Sequence, residues 1–428
     1  MTFCMTFLMM FEKSSRIYAQ DQNKSTHAHV ISRLRATYWS DPSESIVLGW
    51  DQKVLGAKIY YRIRAKKQDY TTLTSQWSHA LTIAVPNHSF THWVQLSGLE
   101  AEQSYEFKIT NATGESLIYW FQTLSKLEKP LHIVAGGDSR NHRKVRRTTN
   151  RLVAFLSPDF VMFSGDFTTQ STDQQWEEWL DDWQLTLNES GKVIPLLPAR
   201  GNHDSAHSMR QIWGRAFLDF YYAFNIHGHL LRVYTLNSEI PAGGAQGKWL
   251  AQDLAAHTQQ KLKFIQYHKP MRPHNLYKRE GQDEYKNWAP LFTQYNVNLA
   301  LECDSHLMKI TWPLIYDPRG EEGFSKASAK QKGTVFIGEG GWGAPLRQVN
   351  DKKSWTQRAE RMNHIFSIRI HSNTRYQIQA LSIPVMRTFP QTIHQYTHSK
   401  PRSKINRRLI ADFQKVIQFS PIYHYDFP

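Results

Sequence analysis

Six residues with metal-ligand chemistry, Asp138, Asp166, Asn202, His268, Asp304 and His306, each follow a short apolar run within a few positions. Leu131-His132-Ile133-Val134-Ala135 leads into Gly136-Gly137-Asp138, and Phe160-Val161-Met162-Phe163 leads into Gly165-Asp166. Val193–Leu197 precedes Gly201-Asn202-His203-Asp204, Leu262–Gln266 precedes His268, and Asn298–Leu301 precedes Asp304 and His306. A dinuclear hydrolase needs a carboxylate able to bridge two cations about 3.5–4 Å apart, with further ligands completing each shell. Oxygen and imidazole donors suit Zn, Mn and Fe. Singly, each residue has a plainer reading: an Asp at a strand end caps a helix or closes a turn, and a loop His is solvated. The recurrence at strand ends, and the tetrapeptide Gly201-Asn202-His203-Asp204 directly after a strand, point instead to a shared site.

The elements that must position these residues alternate between apolar strands and helices, such as the helical stretch near Thr148–Leu156. That alternation predicts an α/β core, in which ligands gather at the carboxyl ends of the strands. Trp176, Trp179 and Trp183 sit at helical spacing and read as one buried helix face, with no function assigned. Upstream, from about Val30 to Leu124, the pattern is short, alternating and aromatic, as in Ser45–Trp50, Lys58–Ile63, His92–Leu96 and Ser104–Ile109. Regularly spaced short strands with a buried Trp predict a β-sandwich. The expected organisation is therefore an apolar leader over 1–29, an all-β sandwich over 30–125, an α/β domain over 131–385 and a basic tail over 386–428. The leader has the length of a signal-peptide core but lacks a basic n-region, so it reads as a signal peptide or as a merely apolar leader. The first reading places the protein in the periplasm or outside the cell, the second in the cytoplasm. No segment reaches the length of a transmembrane helix.

The chain has 428 residues and a formal net charge of +15, which favours anionic partners. It carries no helix-turn-helix signature, no zinc-finger spacing and no aromatic RNA-binding signature. The two cysteines, Cys4 and Cys303, predict no structural disulfide.

The ordered set Gly137-Asp138, Gly165-Asp166, Gly201-Asn202-His203-Asp204, Ile265-Gln266-Tyr267-His268 and Asp304-Ser305-His306 resembles the calcineurin-like metallophosphoesterases. It is most similar to the purple acid phosphatase-like branch, whose members also carry an N-terminal fibronectin type III-like domain. Leu96-Ser97-Gly98-Leu99 with Tyr105-Glu106-Phe107, and Leu307–Leu314 with Gly333–Gly338, extend the resemblance from about Val30 to Ala344. The resemblance implies layered β-sheets flanked by helices and two divalent or trivalent metal ions, Mn, Zn or Fe, acting on a phosphorylated anionic substrate. It implies that Asp166 bridges, that Asp138 and His306 hold the first metal, and that Asn202, His268 and Asp304 hold the second. His203 would orient substrate or protonate the leaving oxygen, with Asp204 fixing its ring.

Three positions depart from the family pattern. Thr169 stands where purple acid phosphatases carry a tyrosine ligand, Arg140 where many relatives carry His, and Cys303-Asp304 where the last motif carries Gly-His. Arg140 reads as a bidentate contact to a substrate phosphate or as a surface residue in a basic loop with Arg143, Arg146 and Arg147. Cys303 reads as a rival soft ligand or a small buried residue. The implied activity is metal-dependent phosphoric ester hydrolysis of the phosphomonoesterase kind. A phosphodiesterase acting on nucleotide or lipid head-group phosphates, and a degenerate binding module on the same fold, are the alternatives.

Overall fold

The computed structural model describes residues 30–54, 56–65, 76–81, 83–84, 91–214, 219–371, 375–383 and 421–426. The expected leader, and most of the expected basic tail, lie outside the described residues. The first part of the chain is all β. Ser32–Thr37, Ser45–Asp51, Thr91–Ser97 and Ile83–Ala84 form one antiparallel sheet, and Ser78–Leu81, Lys58–Ile63, Ser104–Asn111 and Gly114–Glu115 a second, with Tyr119–Gln122 also on Ser104–Asn111. The inward positions Leu34, Ala36, Leu48, Trp50, Ile59, Phe107 and Ile109 close a core between them.

The rest is α/β, built on two larger sheets. The first runs Leu196–Pro198, Phe160–Phe163, Leu131–Gly136, His364–Ile370, Arg375–Ser382 and Tyr423–Asp426. Its first three members are parallel and wholly apolar at Phe160–Phe163, as strands covered on both faces must be. The second runs Tyr222–Ile226, Leu231–Thr235, Leu262–Gln266, Leu299–Glu302, Val335–Gly338, Met308–Thr311 and Thr356–Glu360. Side chains of both sheets, among them Ile133, Val161, Leu231, Phe264 and Leu299, share one core. Helices cover the outer faces. Trp176, Trp179 and Trp183 all point inward from the helix Asp173–Trp183, with Trp179 stacked on Trp183 at 5.1 Å between ring centroids. Within the stretch read as a basic tail, Tyr423–Asp426 pairs antiparallel with Arg375–Ile378. The alternation Tyr423, Tyr425 makes it a half-buried strand.

The all-β unit is bonded into the α/β unit. Leu34 N donates to Gln184 Oε1 at 3.0 Å and Gln184 Nε2 donates back to Leu34 O at 3.1 Å, so a side-chain amide imitates a strand partner. Ala36 bridges in parallel to Pro195, just before the edge strand Leu196–Pro198. Arg35, wholly buried, donates to Ile212 O at 3.0 Å and pairs with Asp51 at 3.2 Å.

Candidate functional site

The carboxyl ends of strands from both large sheets meet along one line. Asp138 follows Leu131–Gly136, Asp166 follows Phe160–Phe163, Asn202 follows Leu196–Pro198, His268 follows Leu262–Gln266, and Asp304 follows Leu299–Glu302. The sequence brings them there through strained backbone. Asp138 (φ 57°), Asp166 (φ 57°), Asp304 (φ 69°) and His306 (φ 58°) all adopt the left-handed region. Asp and His tolerate that region better than most residues, yet such conformations cost about 1–3 kcal/mol each and cluster where function over-determines them. Gly201 is required at its position, because a Cβ there would run into the Asp166 carboxylate.

Ligand-type atoms converge in two groups sharing Asp166: Asp138, Asp166 and His306, and Asp166, His268 and Asp304. In the second group the His268 Nδ1 hydrogen goes to Ser164 O at 2.7 Å. Its Nε2 then faces Asn202 Oδ1 at 3.1 Å, Asp166 Oδ1 at 3.3 Å and Asp304 Oδ1 at 3.8 Å. Four acceptor-type atoms around one point fit a cation. Burial disfavours charge on His268, but Asp166, Asp138 and Asp304 together hold its pKa well above the ordinary imidazole value. Burial opposes ionisation of Asp166 too, and His268 outweighs it, keeping that carboxyl below its usual range.

The first group has a different occupant. His306 Nδ1 pairs with Pro345 O at 2.9 Å, and its Nε2 accepts from Arg140 Nη2 at 3.1 Å. Arg140 Nε donates to Asp166 Oδ2 at 3.0 Å. Asp138 Oδ1, 3.2 Å from His306 Nε2, has no hydrogen-bond partner among the described residues, while Asp138 Oδ2 accepts from Asp304 N at 2.6 Å. Arg140 is thus a buried residue turned into the site. Its neighbours differ: Arg143 is exposed, Arg147 half-buried and Arg146 buried, and all three pair with the buried Asp182.

His203 stands at the rim, its side chain 30% exposed and its Nε2 3.9 Å from Asp166 Oδ2. The expectation that Asp204 fixes its ring is overturned. His203 Nδ1 pairs with Thr169 O at 2.7 Å, whereas Asp204 turns inward and accepts the backbone N–H groups of Asp166 (2.7 Å), Phe167 (3.0 Å) and Gly201 (3.0 Å). Asp204 therefore braces the loop that carries Asp166, with its carboxyl pushed up to about 8 by burial and by the Asp166 charge. Cys303 lies in neither ligand group; burial and the adjacent carboxylates push its thiol up, so it is a small buried residue.

Two features were not read from the sequence. Lys278 Nζ pairs with Asp304 Oδ1, and no periodicity announces it. Behind the ligands, Lys309 bridges Glu302 and Glu339, while Glu339 also takes His274 Nδ1 at 3.0 Å and Glu302 takes the Tyr267 hydroxyl. Lone charges inside the apolar runs Leu299–Glu302 and Met308–Thr311 were the available signal.

Residues 116–307 match the family described as Calcineurin-like phosphoesterase, and residues 31–123 match that described as Purple acid Phosphatase, N-terminal domain. A calcineurin-like phosphoesterase domain is therefore present over residues 116–307. A purple acid phosphatase from yellow lupin (Lupinus luteus) seeds superposes with a TM-score of 0.67 at 13% identity, over 82% of this chain and 72% of that one. A structure of PhoD superposes with a TM-score of 0.62 at 12% identity, over 86% of this chain and 89% of that one. At such identities the likeness is one of fold. No curated protein sequence matches the chain. As expected for this phosphoesterase fold, an all-β region precedes the α/β domain, and no helix among the described residues is long and apolar enough to cross a membrane.

Proposed function

We propose that this phosphoesterase hydrolyses phosphoric esters, acting as a metal-dependent phosphomonoesterase through a cation held by Asp166, Asn202, His268 and Asp304. The observation that carries this reading is the convergence of Asn202 Oδ1, Asp166 Oδ1 and Asp304 Oδ1 on His268 Nε2, whose ring is oriented by Ser164 O. A divalent or trivalent ion there supplies Lewis acidity toward a phosphoryl oxygen and the attacking water. Around it the chain's own residues bind and orient. Arg140, permanently charged, and the more flexible Lys278 offer positive charge to phosphate oxygens beside Asp166 and Asp304. His203, its Nδ1 engaged by Thr169 O, presents Nε2 toward the site from a half-exposed rim, where it can protonate a leaving oxygen. Asn202 is solvent-exposed, so the site opens on that side. Leu276 and Tyr277, 65% and 86% exposed beside Lys278, offer an apolar shelf to the alcohol part of the ester.

In this reading residues 30–125 and 131–385 are the two working units, and an exported protein is the setting that the apolar leader supports. The test is hydrolysis of an aryl phosphate and a bis-aryl phosphate with added Mn, Zn or Fe. Asp166→Asn, which removes a charge from both ligand groups, should abolish turnover and metal retention together. Metal-independent turnover by the wild-type protein, or full turnover by the variant, would sink the assignment. A second reading, a binding module for phosphorylated ligands, is favoured by one observation: Arg140 and Lys278 each already pair with a ligand-type carboxylate. Phosphate binding without turnover under every metal would select it.

A further inference from the structure

Resting on the hydrolase reading for the second ligand group, we propose that the Arg140 guanidinium permanently takes the first cation position, so that the protein binds one metal ion and not two. The guanidinium lies among the first-group donors, bonded to Asp166 Oδ2 at 3.0 Å and His306 Nε2 at 3.1 Å. A metal bound to those same atoms would need about 2.0–2.2 Å to each, within the space the guanidinium nitrogens fill. One occupant excludes the other.

The placement is built into the fold. Arg140 is 9% exposed, and its Nη1 donates to Asn141 Oδ1 at 3.2 Å. Its loop is pinned at the preceding residue, where Ser139 O accepts from Arg146 at 3.2 Å and Ser139 Oγ accepts from Trp179 at 2.8 Å. Arg146 is itself clamped by Asp182 at 2.8 Å, so the guanidinium is held from the helix behind it. Charge agrees with this placement. The cluster has three carboxylates, Asp138, Asp166 and Asp304, and two cationic side chains, Arg140 and Lys278. One dication brings that sum from −1 to +1, and a second would bring it to +3. Arginine cannot give up its proton to make room.

The chemical consequence is a mixed clamp for a tetrahedral oxyanion, with a cation on one side of Asp166 and a planar hydrogen-bond donor on the other. Guanidinium gives directional N–H bonds to two oxygens, but it does not acidify a water as a metal does, so the first position binds and does not activate.

The experiment is metal stoichiometry on the full chain, by elemental analysis after zinc loading and by calorimetric titration of the metal-free protein with zinc. Wild type should hold one equivalent. Arg140→His, which replaces the cation with a neutral donor, should hold two, and Arg140→Met, which opens the position without adding a ligand, should take a second, weaker equivalent. Two equivalents in wild type would overturn the inference and leave the hydrolase reading standing. One equivalent in all three proteins would also overturn it, since Arg140 would not be what excludes the second ion. No metal in any of the three removes the hydrolase reading and the inference with it. If the variants fail to fold, X-ray absorption on zinc-loaded wild type decides: a metal–metal vector near the 3.5–4 Å of two-metal sites refutes a single ion, and its absence with one equivalent bound supports it.

Discussion

Replacing Lys278 with Met should tighten metal binding at the second ligand group. Lys278 Nζ pairs with Asp304 Oδ1, one of the atoms facing His268 Nε2, and its side chain is 16% exposed. Burial pushes the Asp304 carboxyl up, but His268 and Lys278 more than offset that and hold its pKa below the ordinary value. An ion ligated by that oxygen, about 2.0–2.2 Å from it, would lie at most roughly 4.5 Å from the ammonium. A +2 and a +1 charge at that distance repel by about 7 kcal/mol at an effective permittivity of 20. The flexible lysine stem lets the ammonium swing toward solvent, so the realised cost is the smaller one of breaking its charged hydrogen bond, about 1.5–3 kcal/mol. That converts to roughly ten- to a hundredfold tighter binding in Lys278→Met. Competition between protein and a chromophoric chelator for zinc, at fixed pH and ionic strength, reads this directly. The gap between the proteins should narrow at high salt. Equal affinity within about threefold would show that the ammonium does not face the ion, and weaker binding in the variant would show that Lys278 serves to orient Asp304; either result refutes the reasoning.

Three further outcomes are expected. His203→Ala should lower turnover by roughly two to four orders of magnitude with metal content intact, and parallel loss of metal would make His203 a ligand. Asp304→His should bind zinc more tightly and shift the pH optimum for hydrolysis downward, because imidazole replaces an oxygen donor that favours harder cations; identical metal preference and pH profile would remove Asp304 from the ligand set. Burial pushes the Glu339 carboxyl up, yet Lys309 and His274 hold it down at about 2. Its stabilising contribution is therefore complete above its unfolded value near 4.5 and is lost as pH falls from there to about 2, worth about 3 kcal/mol in all. Thermal unfolding against pH should show Glu339→Gln destabilised at neutral pH and flatter than wild type across that acid window.

The strand-end residues were legible because each comes directly after an apolar run, and because chain order fixes the order of strand ends. Parallel pairing aligns the strand ends within each sheet, and the shared core between the two sheets brings both sets together. Side-chain direction was not legible. Asp204 sits beside His203 in sequence, but the tight turn points one side chain inward, to three backbone N–H groups, and the other toward the rim. Arg140 lies in an arginine-rich stretch that composition alone reads as surface. Only the helix packing that sends Arg143, Arg146 and Arg147 to Asp182 shows that Arg140 is left facing the other way. Lys278 reaches Asp304 across 26 residues through a loop with no repeat to betray it. The buried Glu302–Lys309–Glu339–His274 set was half visible: a charged residue inside an apolar strand calls for a partner, but its identity depends on which strands are neighbours.

The bonding between the all-β unit and the α/β unit bears on how the chain can be cut. Leu196–Pro198 is the outermost strand of its sheet, and the strand Ser32–Thr37 meets its start through the Ala36–Pro195 bridge, while Leu34 is bonded to the Gln184 amide. Trp39 donates to Trp213 O at 3.0 Å, and Arg35 reaches Ile212 O from a fully buried position. Expressing the α/β half alone, from about residue 126, would bare an unpaired strand next to tryptophan-lined surface, which is a template for self-association. A nick in the connecting segment, by contrast, should leave two fragments that travel together through a sizing column until denaturant separates them.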